Sequence, residues 1–412
     1  MRDMFRFLMN LKGNARSVVF TEAMWTVPFN LYSPFFTIYM FQLGVLDMQI
    51  GLLLTVGRLF QMVFALLGGV ITDKLGRRLT TLIADVVSWS IPVFIWALSQ
   101  NFWWFLVAAL INSTFQISAT SWECLWIDDN AEDASWLEKT YNWIYISGQL
   151  AVFFAPITGF FINQHSVVPV MRVLLFISFI SMTAKFIILF VYSEETDRGV
   201  LRMKETKNTP LTQLLIGYKD VFFQILKSWK MKRALIIQAI AGVYFMVSST
   251  FFALYATQNL NTPEHYIAIL PILRAGIMLA FFFFIQFRLN SFNQKNIMIT
   301  GITAFVIANG LLIISPPENI VFLSVYTIIE SCAFALLLPR IDTLVANVIE
   351  PTERARIRAF FNASILAFTG VFGFVAGFLS SINRQFPFVL NIVLFTVMFI
   401  VTLLNPKEVS KQ

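Results

Sequence analysis

Apolar residues fall in twelve long blocks, and the polar residues gather in the breaks between them. A helix needs about 20 mostly apolar residues to cross the hydrocarbon core of a bilayer. Segments 17–42, 48–72, 79–99, 102–127, 140–163, 167–192, 233–259, 264–288, 296–314, 319–341, 356–381 and 385–404 meet that length. The breaks carry turn residues or charge: GVLDMQ, DKLGRR, SQN, NTPEH, SPPEN and NRQ. The pattern predicts an all-α integral membrane protein with 12 transmembrane helices, embedded in a lipid bilayer.

The one long polar break, 193–232, divides the spans six and six. It separates residues 1–192 from 233–412 as two six-helix bundles. Its first part, SEETDRGVLRMKETKNTP, reads as a flexible linker. In its second part Leu211, Leu214, Leu215, Tyr218, Phe222, Ile225 and Trp229 share one helical face. That pattern suits a helix lying in the membrane interface, or one packed on its own domain. The two halves are also related. At an offset of 216 residues, SPFFTIYMFQ (Ser33–Gln42) lies on STFFALYATQ (Ser249–Gln258). In the same register Val27 meets Val243, Phe29 meets Phe245 and Arg58 meets Arg274. Repeated six-span halves are a transporter architecture, with the substrate site near the midplane between repeats.

Composition agrees with the span pattern. The chain of 412 residues is 58% hydrophobic and 13% charged, against about 25% charged in a soluble domain. The net charge of +7 is a matter of topology. Loops on one side of the membrane, with the two ends, hold 25 of the 30 Lys and Arg. The positive-inside rule then places both termini in the cytoplasm, and nucleic acid is not an expected partner. The N-terminal MRDMFRFLMNLKGNARSVVF has basic residues but no small-residue cleavage site, so it reads as a cytoplasmic segment on the membrane surface. Cys124 and Cys332 lie in apolar stretches, and His165 and His265 have no partner spacing, so no metal site is expected. No clustered His, Asp or Ser chemistry suggests an enzyme.

Between the second and third spans stands GGVITDKLGRR. From Gly69 it reads G-x-x-x-D-K-x-G-R-R. This resembles motif A of the major facilitator superfamily, at the position where that family carries it, and the resemblance covers the whole chain. It implies a pseudo-symmetric pair of six-helix bundles that work by alternating access. It also implies a gating role for Gly69, Asp73, Lys74, Gly76, Arg77 and Arg78. On physical grounds Gly69 allows close helix approach and Gly76 a tight turn. Asp73 is expected to cap, or to pair across the interface of the halves. The counterpart loop, FRLNSFNQKN, lacks the motif. APITGFF in the fifth span is similar in part to the glycine-rich motif C of drug:proton antiporters, keeping Pro156 and Gly159 but having Ala155 and Phe160. That resemblance favours an exporter. Further charged loops suggest pairing of Asp128, Asp129, Glu132 and Asp133 with Arg354, Arg356 and Arg358, or else solvated charge runs.

Ionisable residues inside spans are functional candidates. Arg58, Arg274 and Glu330 each lie about ten residues, roughly 15 Å, from the end of their spans. Arg274 and Glu330 can pair within the second half. Arg58 has only Asn30, Tyr32 and Asn112 at its own level. Arg58, Arg274, Asn30, Tyr32, Asn112 and Tyr244 are the candidate substrate cavity. Glu22, Glu330 and Glu123 are the candidates for proton coupling, since burial raises a carboxyl pKa toward neutrality. Lys185 and Arg172 are expected to snorkel or to pair at helix ends. Trp25, Trp122, Trp126, Tyr145, Tyr244 and Phe245 can line an aromatic cavity.

The leading expectation is a monomeric secondary transporter in the bacterial plasma membrane, needing no cofactor beyond a proton gradient. Its expected activity is multidrug-efflux-type antiport of drug-like or amphipathic small molecules. The alternatives are a carrier of small anions, organic acids or phosphate esters held by Arg58 and Arg274, a lipid or glycolipid flippase, and a transport-fold sensor that moves nothing.

Overall fold

The computed structural model describes residues 9–128, 134–208, 227–285, 292–348 and 354–404, with 7, 210, 225 and 289. Among these every regular element is a helix. Eleven are long and apolar enough to cross a membrane, and their limits fall within a few residues of the expected ones.

The expected first span is the exception. It is built in pieces: α1 (Gly13–Thr21), α2 (Ala23–Tyr32), a 3-10 turn over Ser33–Phe35 and α3 (Phe36–Gln42). Pro28 lies inside α2 and Pro34 inside the 3-10 turn. Each lacks the N–H that an unbroken helix would donate. The next spans are α4 (Asp47–Leu75), whose residues from Leu53 onward belong to the first unit, α5 (Arg77–Asp85) continued through a π-helical turn into α6 (Ile91–Leu98), and α7 (Phe102–Asn112) followed by α8 (Phe115–Ile127). Then come α9 (Ala134–Val152), α10 (Ala155–His165) and α11 (Val167–Tyr192). The motif C-like stretch is a helix start: the fifth span turns at Phe153 and Phe154, and Pro156 opens α10. Proline suits that position because the first N–H groups of a helix have no intrahelical partner.

The segment read as flexible linker contains α12 (Asp197–Thr206), with the Thr196 hydroxyl accepting from Gly199 N at 2.9 Å. Its side chains attach to the first unit, as described below. The proposed interfacial helix from Leu211 to Phe222 lies outside the described residues.

Two compact units emerge. The first comprises residues 1–45 and 53–218, the second 46–52 and 219–412. In the first, Leu11, Val18, Leu125, Trp126 and Leu189 form one core cluster. The second contains α13 (Trp229–Gln258), α14 (Glu264–Ile267), α15 (Ile269–Phe284), α16 (Gln294–Ile313), α17 (Ile320–Val348), α18 (Arg354–Ile382) and α19 (Phe386–Leu403). There Phe305 stacks on Phe395 with ring centres 4.6 Å apart, and Asn391 Nδ2 donates to Asn309 Oδ1 at 3.2 Å. Also in this unit, Asp47 accepts from Ser380 Oγ at 2.6 Å and Arg384 Nε at 2.9 Å.

Candidate functional site

The motif A loop sits in a network of ion pairs and hydrogen bonds within the first unit. Gly76 has φ +85° and ψ 164°, a conformation that side chains disfavour strongly. It lets α5 begin at once, and the carboxylate of Glu195 caps that start. Glu195 Oε1 accepts from Arg77 N at 2.8 Å and Oε2 from Arg78 N at 3.0 Å. A negative group there also meets the positive end of the helix dipole. The Arg77 guanidinium is buried, with Nε 2.8 Å from Asp128 Oδ2 and Nη1 3.0 Å from Asp73 Oδ1. Asp73 Oδ2 receives Arg202 Nη2 at 2.8 Å. Those Asp73 hydrogen bonds hold the Arg202 guanidinium above its ordinary pKa. Arg78 donates to the Phe190 carbonyl at 2.9 Å and lies 4.2 Å from the Phe190 ring centre. Lys74 stands half-buried beside this network.

Two expectations change. Asp73, expected to cap or pair across the halves, has both oxygens occupied inside the first unit, because α12 brings Arg202 to it. Gly69 does not mediate close approach, since a Cβ there would meet nothing within 4 Å. The close approach belongs to Gly68, whose Cβ would lie 3.0 Å from Thr120 Oγ1. Asp128 is taken by Arg77. Asp129, Glu132, Asp133 and the side chains of Arg354, Arg356 and Arg358 lie outside the described residues.

Higher in the same unit is a cavity of about 310 Å³. Its charged lining is Glu22, Asp85, Glu123 and Lys185, and Trp25, Trp89 and Trp122 supply much of the rest. Of the two expectations for Lys185, snorkelling or pairing, the structure shows pairing. The residue is 4% exposed, and its Nζ lies 3.0 Å from Glu22 Oε2. Asp85 Oδ1 accepts from the Ser118 hydroxyl, while Oδ2 has no hydrogen-bond partner among the described residues. Glu123 accepts from the Tyr141 hydroxyl. Asp85 was absent from the expected site residues. The available signal was its place in an apolar span, about eight residues after the basic loop, at the depth of Glu22.

The second unit holds a closed charge cluster. Glu330 is 0% exposed. Its Oε1 accepts from the hydroxyls of Tyr244 and Tyr326, the latter at 3.0 Å, and its Oε2 pairs with Arg274. The Arg274 guanidinium also lies 5.7 Å from the Phe334 ring centre. Arg58 is not so placed: it is half-buried and donates from Nη1 to Gln61 Oε1 at 3.2 Å.

The other expected cavity residues have local partners. Asn30 Nδ2 donates to the Thr26 carbonyl at 2.8 Å. Asn112 Nδ2 donates at 2.7 Å to the Ser88 carbonyl, to which Pro92 cannot donate. Tyr32 is 2% exposed and its hydroxyl has no hydrogen-bond partner among the described residues. Tyr244 serves Glu330. Of the expected aromatic lining, Trp25 and Trp122 face the cavity, Trp126 is fully buried in the core and Phe245 is 55% exposed. The side chain of Tyr145 lies outside the described residues. Among the described residues no group of His, Cys, Asp and Glu is placed to hold a metal.

No curated protein matches the chain by sequence. Solved structures match its fold. The nucleoside transporter NupG is 16% identical with a TM-score of 0.74, over 96% of this chain and all of the other (100%). A POT family transporter in complex with 5-aminolevulinic acid is 11% identical with a TM-score of 0.72, over 94% of each chain. At these identities the likeness establishes the fold. The model of the MFS_1 like family matches residues 29–390. Its fold and motif A loop agree with that match: the chain belongs to the MFS_1 like family and is a major-facilitator-type membrane transporter, not an enzyme.

Proposed function

We propose that the protein is a proton-coupled transporter of amphipathic small molecules, exporting them in exchange for protons with both termini in the cytoplasm. The observation that carries the coupling is Glu330. A carboxylate with no solvent exposure, inside a membrane span, is costly unless every contact compensates it. Here Arg274 and two tyrosine hydroxyls do so. Protonating Glu330 would cancel its attraction for Arg274 and release that side chain. Binding one proton is thereby linked to rearranging α15 against α17. Export rests on the resemblance of APITGFF to motif C, and orientation on the distribution of Lys and Arg.

The test uses proteoliposomes loaded with a pH-sensitive dye and challenged with amines, nucleosides, peptides and organic acids. At least one class should drive a lumenal pH change with the natural protein and none with Glu330→Gln. Exchange of labelled for unlabelled solute should persist in that variant. A Glu330→Gln protein that still moves protons with solute contradicts the coupling role.

A second reading, a carrier of anionic solutes, is favoured by Arg58. That midspan guanidinium has Gln61 as its recorded partner and no carboxylate among the described residues within ion-pair distance. Under this reading Arg58→Gln abolishes anion-driven flux.

A further inference from the structure

We infer that the cavity of the first unit binds an organic ammonium ion with a flat apolar body, and that Asp85 is its counter-ion. The inference deepens the reading above by naming a substrate class, and it relies on that reading for the step that moves the ligand.

The cavity volume of about 310 Å³ lies at the lower end of small-molecule sites, which run from roughly 300 to 1,000 Å³. Three carboxylates and one ammonium line it, an excess of two negative charges when all are ionised. The single ammonium, Lys185, is already matched to Glu22. Among the described residues Asp85 and Glu123 form no ion pair and receive hydroxyl hydrogen bonds, from Ser118 and Tyr141, so the excess resides on them, with the Lys185 charge offsetting part of it at Asp85. Asp85 is 5% exposed, it lines the cavity, and its Oδ2 lacks a partner among the described residues. Leaving a buried acceptor unsatisfied is costly. A cationic donor in the cavity would remove that cost.

The rest of the wall suits the same ligand. Trp25 stands edge-on to Trp89 with ring centres 4.9 Å apart, and Trp122 lies across the cavity lining. Indole faces attract cations more strongly than other aromatic side chains do. This wall already holds one ammonium: Lys185 Nζ is 6.0 Å from the Trp25 ring centre and 5.8 Å from that of Trp122. An anionic ligand would meet three carboxylates and a lysine that is spoken for. A neutral ligand would leave Asp85 unmatched.

The test is calorimetric titration of the full chain in detergent with three probes sharing one body: 2-phenylethylammonium, 2-phenylethanol and 3-phenylpropionate. The ammonium should bind at least about tenfold more tightly than either of the others. Asp85→Asn, which retains an acceptor for Ser118, should weaken ammonium binding by about tenfold or more and leave the alcohol unchanged. Glu123→Gln, a second variant at the less buried carboxylate, should weaken ammonium binding to a smaller extent. Equal or tighter binding of the alcohol or the carboxylate overturns the inference. So does ammonium binding that both variants leave intact, or no saturable ammonium binding at all. Dye-loaded proteoliposomes separate the two readings. Ammonium binding that moves no protons upholds the cavity assignment and overturns proton coupling. Proton movement with another solute, without ammonium binding, does the reverse.

Discussion

Lys185 is 4% exposed within an apolar span, and the Glu22 carboxylate 3.0 Å away compensates its charge. The sequence places it about seven residues from the end of its helix, where a lysine would ordinarily reach the interface. Depth along a helix is legible in a sequence, whereas the direction in which a side chain points depends on its neighbours. Lys185→Met should therefore destabilise the protein by about 3–5 kcal/mol, because it leaves Glu22 buried and unpaired. The double variant with Glu22→Gln should recover most of that loss in thermal unfolding. A single variant as stable as the natural protein would show that the pair contributes nothing. The midspan arginines illustrate the same limit from the other side. The pairing of Arg274 with Glu330 follows from equal depth, and the structure contains it. The 216-residue offset of the halves puts neutral Thr114 where the second half has Glu330, so Arg58 has no equivalent acid. Asp85 was harder to foresee, since only the folded unit brings Ser118 and the tryptophans around it.

Helix limits were largely legible, because hydrophobic length and turn residues set them locally. Eleven of the spans emerge as expected, and in the first Pro34 lies in the 3-10 turn that interrupts the helix, while Pro28 is carried inside α2. The helix Asp197–Thr206 was not legible. Its sequence, DRGVLRMKET, is polar, and its attachment comes from long-range partners: Arg202 on Asp73, Thr206 on the Asp73 carbonyl, and Glu195 on the start of α5. Glycine variants test this arrangement. A Cβ on Gly199 would lie 2.0 Å from Glu195 Oε1, and one on Gly76 would lie 2.5 Å from Oε2. Gly76→Ala also forces alanine into a backbone conformation that costs about 1–3 kcal/mol. Both variants should lower Tm by several degrees and expose the loop to proteolysis. Gly69→Ala, with open space around its Cβ, should leave Tm unchanged or raise it. A destabilised Gly69→Ala beside a stable Gly76→Ala would reverse this assignment of roles.

Over the whole molecule, the two units divide the chemistry. The first holds an open cavity with carboxylates to spare, and the second a carboxylate sealed by Arg274, Tyr244 and Tyr326. The sequence identified the repeat, the spans and motif A, because those features are periodic or local. It gave no means of telling a ligand-facing charge from a paired one, which depends on how helices rotate against each other. We propose that the first unit takes the cationic solute and the second takes the proton. The most direct test is uptake of labelled 2-phenylethylguanidinium, a permanent cation that crosses a bilayer unaided only slowly and keeps N–H donors for Asp85. Proteoliposomes with an acidic lumen and an alkaline exterior should accumulate it against its gradient. Accumulation should disappear when an ionophore collapses the pH gradient, and should be absent with Glu330→Gln. Uptake that is equal with and without the pH gradient, or unchanged in Glu330→Gln, would contradict proton-coupled export of cations.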